Sequence, residues 1–317
     1  MTVTVTGQIA TRESYGKALA ALGAERSDIV VLEADLSGST KTKQFSQEFP
    51  ERFFNMGVAE ANMIGVAAGL AQTGLTSFAS SFSMFAVGKA FEQVRQEVAL
   101  PVNNVKICGT HAGVTTGEDG ASHQVLEDLA IMRVLPNMRV IVPSDGLETE
   151  QAIQAVAADK LPAYVRLSRM KTPLFLPADH QFEIGKISTL REGDDVTLIG
   201  LGVTTYYAAE AAELLAAEGI SARVLNAASL KPLDAATLIK AARETGALVT
   251  VEEHQRSGGL GSAVLEAIGE EAPCPVRRLG MDDRFGESGD GVQLLEHFGM
   301  TAPAIAQAAR ELLGRKS

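Results

Sequence analysis

The sequence predicts an α/β protein of two domains, each a mainly parallel sheet flanked by helices. Three observations support this fold class. Short β-branched runs alternate with amphipathic helical stretches along the chain, which is the pattern of parallel sheets covered by helices. The 317 residues exceed the size of one ordinary compact core. Residues 171–190 contain two prolines and no helical period, as expected for a connector between domains.

We therefore predict a first domain at residues 1–175, a linker at 176–190 and a second domain at 191–317. The strands of the first domain are predicted at 29–33, 76–80, 104–109, 138–142 and 163–168. Its helices are predicted at 14–22, 60–72, 84–99, 124–134 and 146–158. The second domain has predicted strands at 196–201, 222–226, 247–252 and 276–280, with helices at 204–218, 235–244 and 260–268.

The composition argues against several classes of function. A net charge of −11 and a pI near 5.0 disfavour binding to a nucleic-acid backbone, which needs a concentrated positive field. Cys108 and Cys274 have no CxxC spacing, and two such thiols suggest a reducing compartment. The N-terminal residues lack the basic and apolar regions of a secretory signal. We therefore expect a cytoplasmic protein that binds no nucleic acid.

Residues 61–88 carry no charge over 28 positions, more than the ~20 residues that span a bilayer. Polar residues from Gln72 to Ser81 interrupt this stretch, so a continuous membrane helix would leave polar groups facing lipid. We predict a helix, a turn, a strand and a new helix here, without membrane insertion. Small uncharged side chains of this kind suit a buried interface between subunits.

Four polar or glycine-rich segments follow predicted strands, at residues 34–43, 55–60, 109–124 and 252–262. Ligands of open α/β sheets bind beyond the carboxyl ends of the strands, so these segments are the predicted site region. Glu60 opens a predicted helix in an almost apolar neighbourhood. A buried carboxylate is costly unless it is paired or protonated, which indicates function. The alternative is an ordinary glutamate favoured at a helix N-terminus.

The segment 109–124 concentrates ionisable side chains among glycines: His111, Glu118, Asp119 and His123. A polar substrate pocket needs such groups, whereas a solvated loop with Asp and Gly in turns is the alternative. No HExxH motif or cysteine pair accompanies the histidines, so we expect no metal ligands in this chain. Three further histidines have no supporting constellation and are interpreted as ordinary core or surface residues: His180, His254 and His297.

Four cationic or hydroxyl residues lie near predicted strand ends, where charge-assisted hydrogen bonds could hold a phosphate: Arg12, Ser39, Arg166 and Arg169. The glycine-rich turn at 258–261 lacks the GxGxxG pattern of dinucleotide-binding loops. We interpret this turn as structural.

Several motifs follow one another in a distinctive order: IATR at 9–12, EADL at 33–36 with Ser39, MGVAE at 56–60, GEDG at 117–120 with His123, LSR at 167–169 and FGES at 285–288. Their order and spacing resemble the C-terminal two-thirds of transketolases, which comprise the pyrimidine-binding and C-terminal domains. The resemblance runs nearly from end to end.

The resemblance implies a cofactor site for thiamine diphosphate. Glu60 resembles the glutamate that hydrogen-bonds N1′ of the aminopyrimidine ring and so activates the cofactor. Phe82 and Phe85 resemble the aromatic residues that stack on this ring, and Asp35 belongs to the same implied cofactor-binding set. Gly88 stands where transketolases often have a further tyrosine, so a reshaped pocket is expected.

The resemblance also implies a site for a sugar substrate. Four residues match positions that hold the substrate phosphate, namely Arg12, Ser39, His111 and Arg169. Asp119 and His123 match positions that contact sugar hydroxyls. The set favours a phosphorylated sugar, and a sulfonate would fit the same donors. Ala112 and Gly113 follow His111 where many transketolases have an acidic residue, which bears on substrate choice.

A full transketolase binds Mg²⁺ and the diphosphate through a GDG motif and a downstream Asn in an N-terminal domain, which this resemblance does not cover. The GDG at 289–291 lacks that context and is interpreted as a coincidental turn. We therefore expect a separate chain with the GDG and Asn motif to bind Mg²⁺ and the diphosphate. An α2β2 heterotetramer with shared sites follows, as does weak cofactor binding by this chain alone.

The leading prediction is the C-terminal subunit of a split transketolase, which transfers a two-carbon ketol unit from a ketose to an aldose. A 1-deoxyxylulose-5-phosphate synthase-like half would share Glu60 and the His123 region but would decarboxylate pyruvate. The β subunit of a 2-oxoacid dehydrogenase would share the domain plan, although the phosphate-type arginines speak against it. A regulatory subunit that keeps the fold without activity is the non-catalytic alternative.

Overall fold

The computed structural model describes residues 3–314. Its strands in chain order are β1 (Gln8–Ala10), β2 (Ile29–Glu33), β3 (Phe53–Asn55), β4 (Thr76–Phe82), β5 (Val105–Thr110), β6 (Arg139–Ile141), β7 (Ala163–Arg166), β8 (Lys171–Pro173), β9 (Ser188–Arg191), β10 (Val196–Gly200), β11 (Ala222–Asn226), β12 (Ser229–Lys231), β13 (Leu248–Gln255) and β14 (Val276–Met281).

The α-helices in chain order are α1 (Thr11–Glu25), α2 (Ser37–Thr40), α3 (Lys43–Glu48), α4 (Glu60–Gln72), α5 (Phe91–Gln93), α6 (Asp128–Val134), α7 (Gly146–Ala158), α8 (Thr204–Ala216), α9 (Ala235–Thr245), α10 (Leu260–Ile268), α11 (Gly291–His297) and α12 (Ala302–Leu313). Short 3₁₀ segments lie at Pro50–Arg52 and Val114–Asp119, and π-helical segments lie at Met84–Lys89 and Val94–Ala99.

Seven strands form the sheet of the first domain, in the order β12-β6-β7-β5-β4-β2-β3. Neighbouring strands run parallel except β12, which pairs antiparallel with β6 at one edge. Strands β2, β4, β5 and β7 are buried along their whole length. Burial on both faces is the usual environment of central strands in a parallel sheet covered by helices.

The second sheet contains five strands in the order β14-β13-β10-β11-β9, and only β9 runs antiparallel to its neighbour. The predicted fold class is therefore confirmed. One hydrophobic cluster continues through both domains, from Met63 in α4 to Leu238 in α9 and Leu248 in β13. Strand β12 lies in the second half of the sequence yet completes the first sheet. The domain boundaries at residues 176–190 stay a prediction.

Aspartates at helix starts explain where several helices begin. Asp145, Asp234 and Asp290 precede α7, α9 and α11, and each side chain accepts a hydrogen bond from a backbone N–H of the first turn. Such caps satisfy donors that have no partner within the helix. Gly246, in the left-handed region at φ 63°, ends α9.

The uncharged stretch at residues 61–88 folds into α4, β4 and most of the π-helical segment Met84–Lys89. The predicted succession of helix, turn, strand and helix is confirmed, and its role in a subunit interface stays a prediction. No helix within residues 3–314 is long and apolar enough to cross a membrane.

Two predicted helices differ from the structure. The helix predicted at 124–134 begins only at Asp128, because Val125 instead forms a β-bridge with Ala112 and accepts a hydrogen bond from Gly113 N. The helix predicted at 84–99 is divided into the two π-helical segments with the short α5 between them. Helices α11 and α12 were not predicted, and the predicted connector contains β8.

Candidate active site

The carboxyl ends of the parallel strands in the first sheet bring an aromatic cluster together. Phe82 ends β4 and pairs in register with Thr110, which ends β5, so Phe82 lies beside His111. The Phe82 and His111 rings stack with centroids 3.7 Å apart. Phe82 and Phe85 are nearly parallel, with an interplanar angle of 15°, and His123 contacts both phenylalanine rings edge-on. Four predicted site residues therefore form one cluster.

Glu60 is the first residue of α4, and only 2% of its surface is exposed. Its Oε2 accepts a hydrogen bond from Lys89 Nζ at 2.6 Å, and the Lys89 side chain is half exposed. A buried carboxylate without a partner is costly, so Lys89 supplies the cation that this position needs. The positive end of the helix also favours an anion here. Helix α4 packs against both β4 and the π-helical segment that follows it.

Arg12 is hydrogen-bonded to two other predicted anion ligands. Its NH1 donates to Ser39 O at 2.9 Å and to His111 Nε2 at 3.1 Å. The pairing of β1 with β8 places the start of α1 beside Arg169, and both arginines line a cleft of about 180 Å³. Burial and the charge of Arg169 lower the pKa of Arg12. Among the described residues, the buried Arg12 Nε has no hydrogen-bond partner.

The proton on His111 can be assigned from its two neighbours. An arginine only donates hydrogen bonds, so His111 Nε2 must accept from Arg12 and carries no proton. The proton therefore lies on Nδ1, which donates to Thr110 Oγ1 at 2.8 Å. Burial lowers the pKa of His111 to about 3, and the charges of Arg12 and Arg169 act in the same direction. The imidazole is thus a neutral ring on the aromatic cluster.

Arg169 lies at the other side of the same cleft. Its NH1 is 3.2 Å from Glu118 Oε2 and 3.4 Å from Asp119 Oδ2, and it also donates to Thr116 O at 2.7 Å. Both acidic side chains are exposed, so an entering anion could replace them at the guanidinium. Asp119 therefore lies against the Arg169 guanidinium at the solvent-exposed side of the cleft.

Asp35 lies just after β2 in a left-handed conformation, at φ 64°. Its Oδ1 accepts from Asn55 Nδ2 at 3.0 Å, while Asn55 Oδ1 accepts from the N–H groups of Asp35 and Gly57. Strands β2 and β3 are neighbours with Glu33 paired to Asn55, which explains the contact. Asp35 therefore fixes the loop that leads into Glu60.

Arg166 does not belong to the anion site, contrary to its interpretation as a candidate phosphate ligand. The side chain is buried, its Nε donates to Asp128 Oδ2 at 2.7 Å, and its NH1 lies 3.7 Å from Glu253 Oε1. These two carboxylates already neutralise the guanidinium. A residue at the end of a strand can point into the core as easily as into the site, and the sequence does not distinguish the two.

The glycine-rich turn at 258–261 has an internal partner. The Glu252 carboxylate accepts from Leu260 N at 2.6 Å and from Gly261 N at 2.8 Å, so a side chain of this chain occupies the N-terminus of α10. This agrees with its interpretation as a structural turn. Of the remaining histidines, His180 bonds Glu148 at 3.0 Å and His254 is fully buried, whereas His297 is exposed.

The residues of the aromatic cluster and Glu60 fit the aminopyrimidine end of thiamine diphosphate. A buried carboxylate can accept a hydrogen bond from a ring N–H, and nearly parallel aromatic rings can hold a flat heterocycle. The unpartnered Arg12 Nε fits an anion. Within residues 3–314, no group of three or more His, Cys, Asp and Glu side chains is arranged to hold a metal ion.

Comparison with known families identifies both domains. Residues 7–173 match the transketolase pyrimidine-binding domain, and residues 185–305 match the transketolase C-terminal domain. The chain belongs to the transketolase family. The predicted resemblance is confirmed, and thiamine diphosphate is the cofactor that this transketolase family implies.

Three similar transketolases cover nearly the whole chain. A putative transketolase C-terminal section from Methanocaldococcus jannaschii is 49% identical over 95% of each chain. A 6-deoxy-6-sulfo-D-fructose transketolase subunit from a Clostridium species is 42% identical over 96% of this chain and 95% of its own. A solved structure, described as a split-gene transketolase in an inactive beta4 tetramer, is 53% identical with a TM-score of 0.91 and covers 98% of this chain and 100% of its own. The predicted role as a transketolase C-terminal subunit is confirmed.

Two important neighbours of the site were not predicted. Lys89 is the first charged residue after Glu60, so the two charges that bound the stretch 61–88 pair with each other. The spacing of charges could have suggested this pair. Thr115, which contacts Glu253 of the second domain, has no comparable signal because 138 residues separate the partners.

Proposed function

We propose that this chain, together with a partner chain, transfers a two-carbon ketol unit from a phosphorylated ketose to an aldose. The observation that carries the proposal is the buried Glu60 carboxylate at the start of a helix packed on the strand that ends in Phe82. Phe82 in turn stacks on His111, which is bonded to Arg12. A carboxylate for the cofactor and a cation for a substrate anion therefore share one sheet edge.

In this proposal Glu60 accepts a hydrogen bond from N1′ of the aminopyrimidine and holds the proton there. Phe82 and Phe85 orient the ring and exclude water from its face, and Asp35 fixes the loop before Glu60 through Asn55. When bound, thiamine diphosphate supplies the carbon nucleophile and the electron sink for cleaving the ketose carbon–carbon bond.

The substrate anion is proposed to lie between Arg12 and Arg169, with His111 and Ser39 beside it. Two guanidinium groups on one cleft match the double charge of a phosphate better than the single charge of a sulfonate. The buried Arg12 Nε would gain the acceptor that it lacks among the described residues. Asp119 and His123 would contact sugar hydroxyls, with His123 held edge-on against Phe82 and Phe85.

The partner is proposed to be an N-terminal transketolase subunit whose GDG and Asn motif binds Mg²⁺ and the diphosphate. Two copies of each chain would then form an α2β2 heterotetramer, because the cofactor lies between unlike chains. The assembly would work in the cytoplasm, as expected from the two thiols without CxxC spacing.

The test is a two-carbon transfer assay of the assembled chains with thiamine diphosphate, Mg²⁺, a ketose phosphate donor and an aldose phosphate acceptor. We expect Glu60→Gln to lower kcat by about 10²-fold or more at saturating cofactor, since a proton-holding carboxylate typically contributes this much. A sulfonated ketose as a second donor tests the choice of anion.

Glu48→Gln is the matched control, because Glu48 is an exposed glutamate on α3 whose side chain accepts a hydrogen bond from its neighbour Gln44. Thermal unfolding of both variants checks that they are folded. Full activity of Glu60→Gln in the assembled enzyme would contradict the proposed role of this carboxylate. Preference for the sulfonated donor would leave that role intact and change the substrate.

A further inference from the structure

The loop that carries the substrate residues is held from the second domain by a buried carboxylate. Glu253 lies in β13 and is 3% exposed. Its Oε2 accepts two hydrogen bonds from one residue of the loop, from Thr115 N at 3.0 Å and from Thr115 Oγ1 at 2.8 Å. Both donors are buried, so these contacts are sheltered from water.

The loop backbone is shaped to admit this carboxylate. Gly113 has a φ of 77°, and a Cβ at this position would lie 2.3 Å from Glu253 Cδ. Only glycine can therefore occupy the position without moving Glu253. On its other side Glu253 faces Arg166, whose NH2 donates to Glu253 O at 3.0 Å. Arg166 thus fixes the strand that carries the carboxylate.

Thr115 leads directly to the anion ligands. The next residue, Thr116, donates from its Oγ1 to His111 O at 2.6 Å, and its own carbonyl accepts from Arg169 NH1 at 2.7 Å. The same short segment therefore touches both sides of the cleft. A shift of Thr115 would move the acceptor that orients Arg169 and the bond that holds His111.

A second contact from the same domain supports the loop. Gln124 Nε2 donates to Glu287 O at 2.8 Å and to Val114 O and Gly117 O at 3.2 Å. The segment at 289–291 then lies so close that a Cβ on Gly291 would be 3.3 Å from Thr115 Cα. The GDG sequence interpreted as a coincidental turn is therefore the turn that packs on the substrate loop.

We propose that Glu253 is a positioning residue for substrate binding, acting through Thr115 on the geometry of Arg169 and His111. The inference rests on the proposed function, because it assigns a role within the same anion site. The second domain thereby takes part in substrate recognition.

The test compares Glu253→Gln with Glu252→Gln in the full chain assembled with its partner. Both glutamates are buried on β13 and accept two hydrogen bonds, but the two that Glu252 accepts come from the start of α10 in its own domain. We expect Glu253→Gln to raise the KM of the phosphorylated donor about tenfold, with kcat changed less than threefold. The KM of an unphosphorylated ketose should stay within twofold, and Glu252→Gln should leave the ratio of the two KM values unchanged.

Thr115 provides variants on the other side of the contact, should Glu253→Gln fail to fold. Thr115→Val removes the hydroxyl and should reproduce the selective rise in KM, whereas Thr115→Ser keeps the hydroxyl and should restore the wild-type value. If Thr115→Val leaves both KM values unchanged, or raises them equally, the positioning role is wrong.

Binding of inorganic phosphate to the isolated chain, measured by calorimetry, separates this inference from the proposed function. Weaker phosphate binding in Glu253→Gln and Thr115→Val, but not in Glu252→Gln, would support positioning even if the assembled enzyme transferred no ketol unit. An active enzyme with equal phosphate affinity in all variants would overturn the positioning role and leave the proposed function standing.

Discussion

His111 illustrates how a single side chain couples the anion site to the stability of the fold. It is held between Arg12 and Phe82, and burial with two nearby arginines lowers its pKa to about 3. The ordinary value is 6.5. Between these pH values the folded chain binds fewer protons at His111 than the unfolded chain. Its contribution to stability is therefore present above pH 6.5 and is lost as the pH falls.

We expect the free energy of unfolding of the wild type to fall more steeply from pH 7 to 4.5 than that of His111→Gln. Over this pH range the wild type should lose about 2 kcal/mol more of its free energy of unfolding than His111→Gln loses. Urea unfolding at both pH values measures it. Burial raises the pKa of Glu33 and Glu252 to about 7, which acts in the opposite direction, so only the difference between variants is informative.

His297→Gln serves as the control, because His297 is exposed on α11 and should follow the wild type. Parallel pH profiles for wild type and His111→Gln would show that the imidazole is not kept neutral by its surroundings.

The site residues themselves could be proposed from the sequence, whereas their partners could not. Glu60 stands out in the sequence because it is an acidic residue in an apolar segment. Arg12 and Arg169 stand out because they are cationic residues near predicted strand ends. Lys89 is 29 residues from Glu60, and Glu253 is 138 residues from Thr115. Such contacts depend on strand order and packing, which local sequence does not contain. Arg166 was misinterpreted for the same reason.

At the scale of elements, Asp145 joins a helix start to the segment that leaves the first domain. Its Oδ1 caps α7 by accepting from Glu148 N, and its Oδ2 accepts from Phe175 N and Leu176 N. The side chain is fully buried. Asp290 caps α11 in the same way but is exposed to solvent. The two aspartates form a natural comparison.

We expect Asp145→Ala to lower the free energy of unfolding by about 3 kcal/mol, because three N–H groups lose their acceptor and two of these belong to buried residues of the connecting segment. Asp290→Ala should cost about 1 kcal/mol, since water can replace the cap. Chemical denaturation at pH 7 measures both. Equal losses of unfolding free energy in the two variants would show that Asp145 acts only as a helix cap and that its bonds to Phe175 and Leu176 contribute nothing.

The regular elements were largely predictable because their patterns are local. Helix α4 and helix α7 match the predicted bounds at both ends, and β2 and β11 do so as well. The predicted start of α6 was wrong because Val125 forms a β-bridge with Ala112, and this tertiary contact overrides the helical periodicity of the sequence. Strand β12 was missed because three residues give no usable alternation, and its partner belongs to the other domain.

At the scale of the whole molecule, the pyrimidine end of the cofactor is the part that this chain fits. We expect the isolated chain to bind thiamine diphosphate at least about tenfold more weakly than the mixture with its partner, and equally with or without Mg²⁺. Isothermal titration calorimetry on the chain alone, with and without Mg²⁺, measures this. The contacts to Glu60 and the aromatic rings then provide the whole affinity.

Glu60→Gln is the matched variant for this titration, and it should weaken the residual binding without changing its independence of Mg²⁺. Tight, Mg²⁺-dependent binding by the isolated chain would refute the division of the site between two chains. Light scattering on the equimolar mixture would then give the mass of the assembly, for which we expect two copies of each chain.

Strand β12 has a consequence for how the chain can be divided. It pairs with β6 and so covers the β6 edge of the first sheet, and Lys231 Nζ adds a hydrogen bond to Arg133 O at 2.8 Å. A truncated protein that ended at the linker would expose the backbone groups of β6 as an open edge. Open edges recruit strands from other molecules. Aggregation of such a fragment would reflect the cut, and the smallest unit worth expressing includes both halves of the chain.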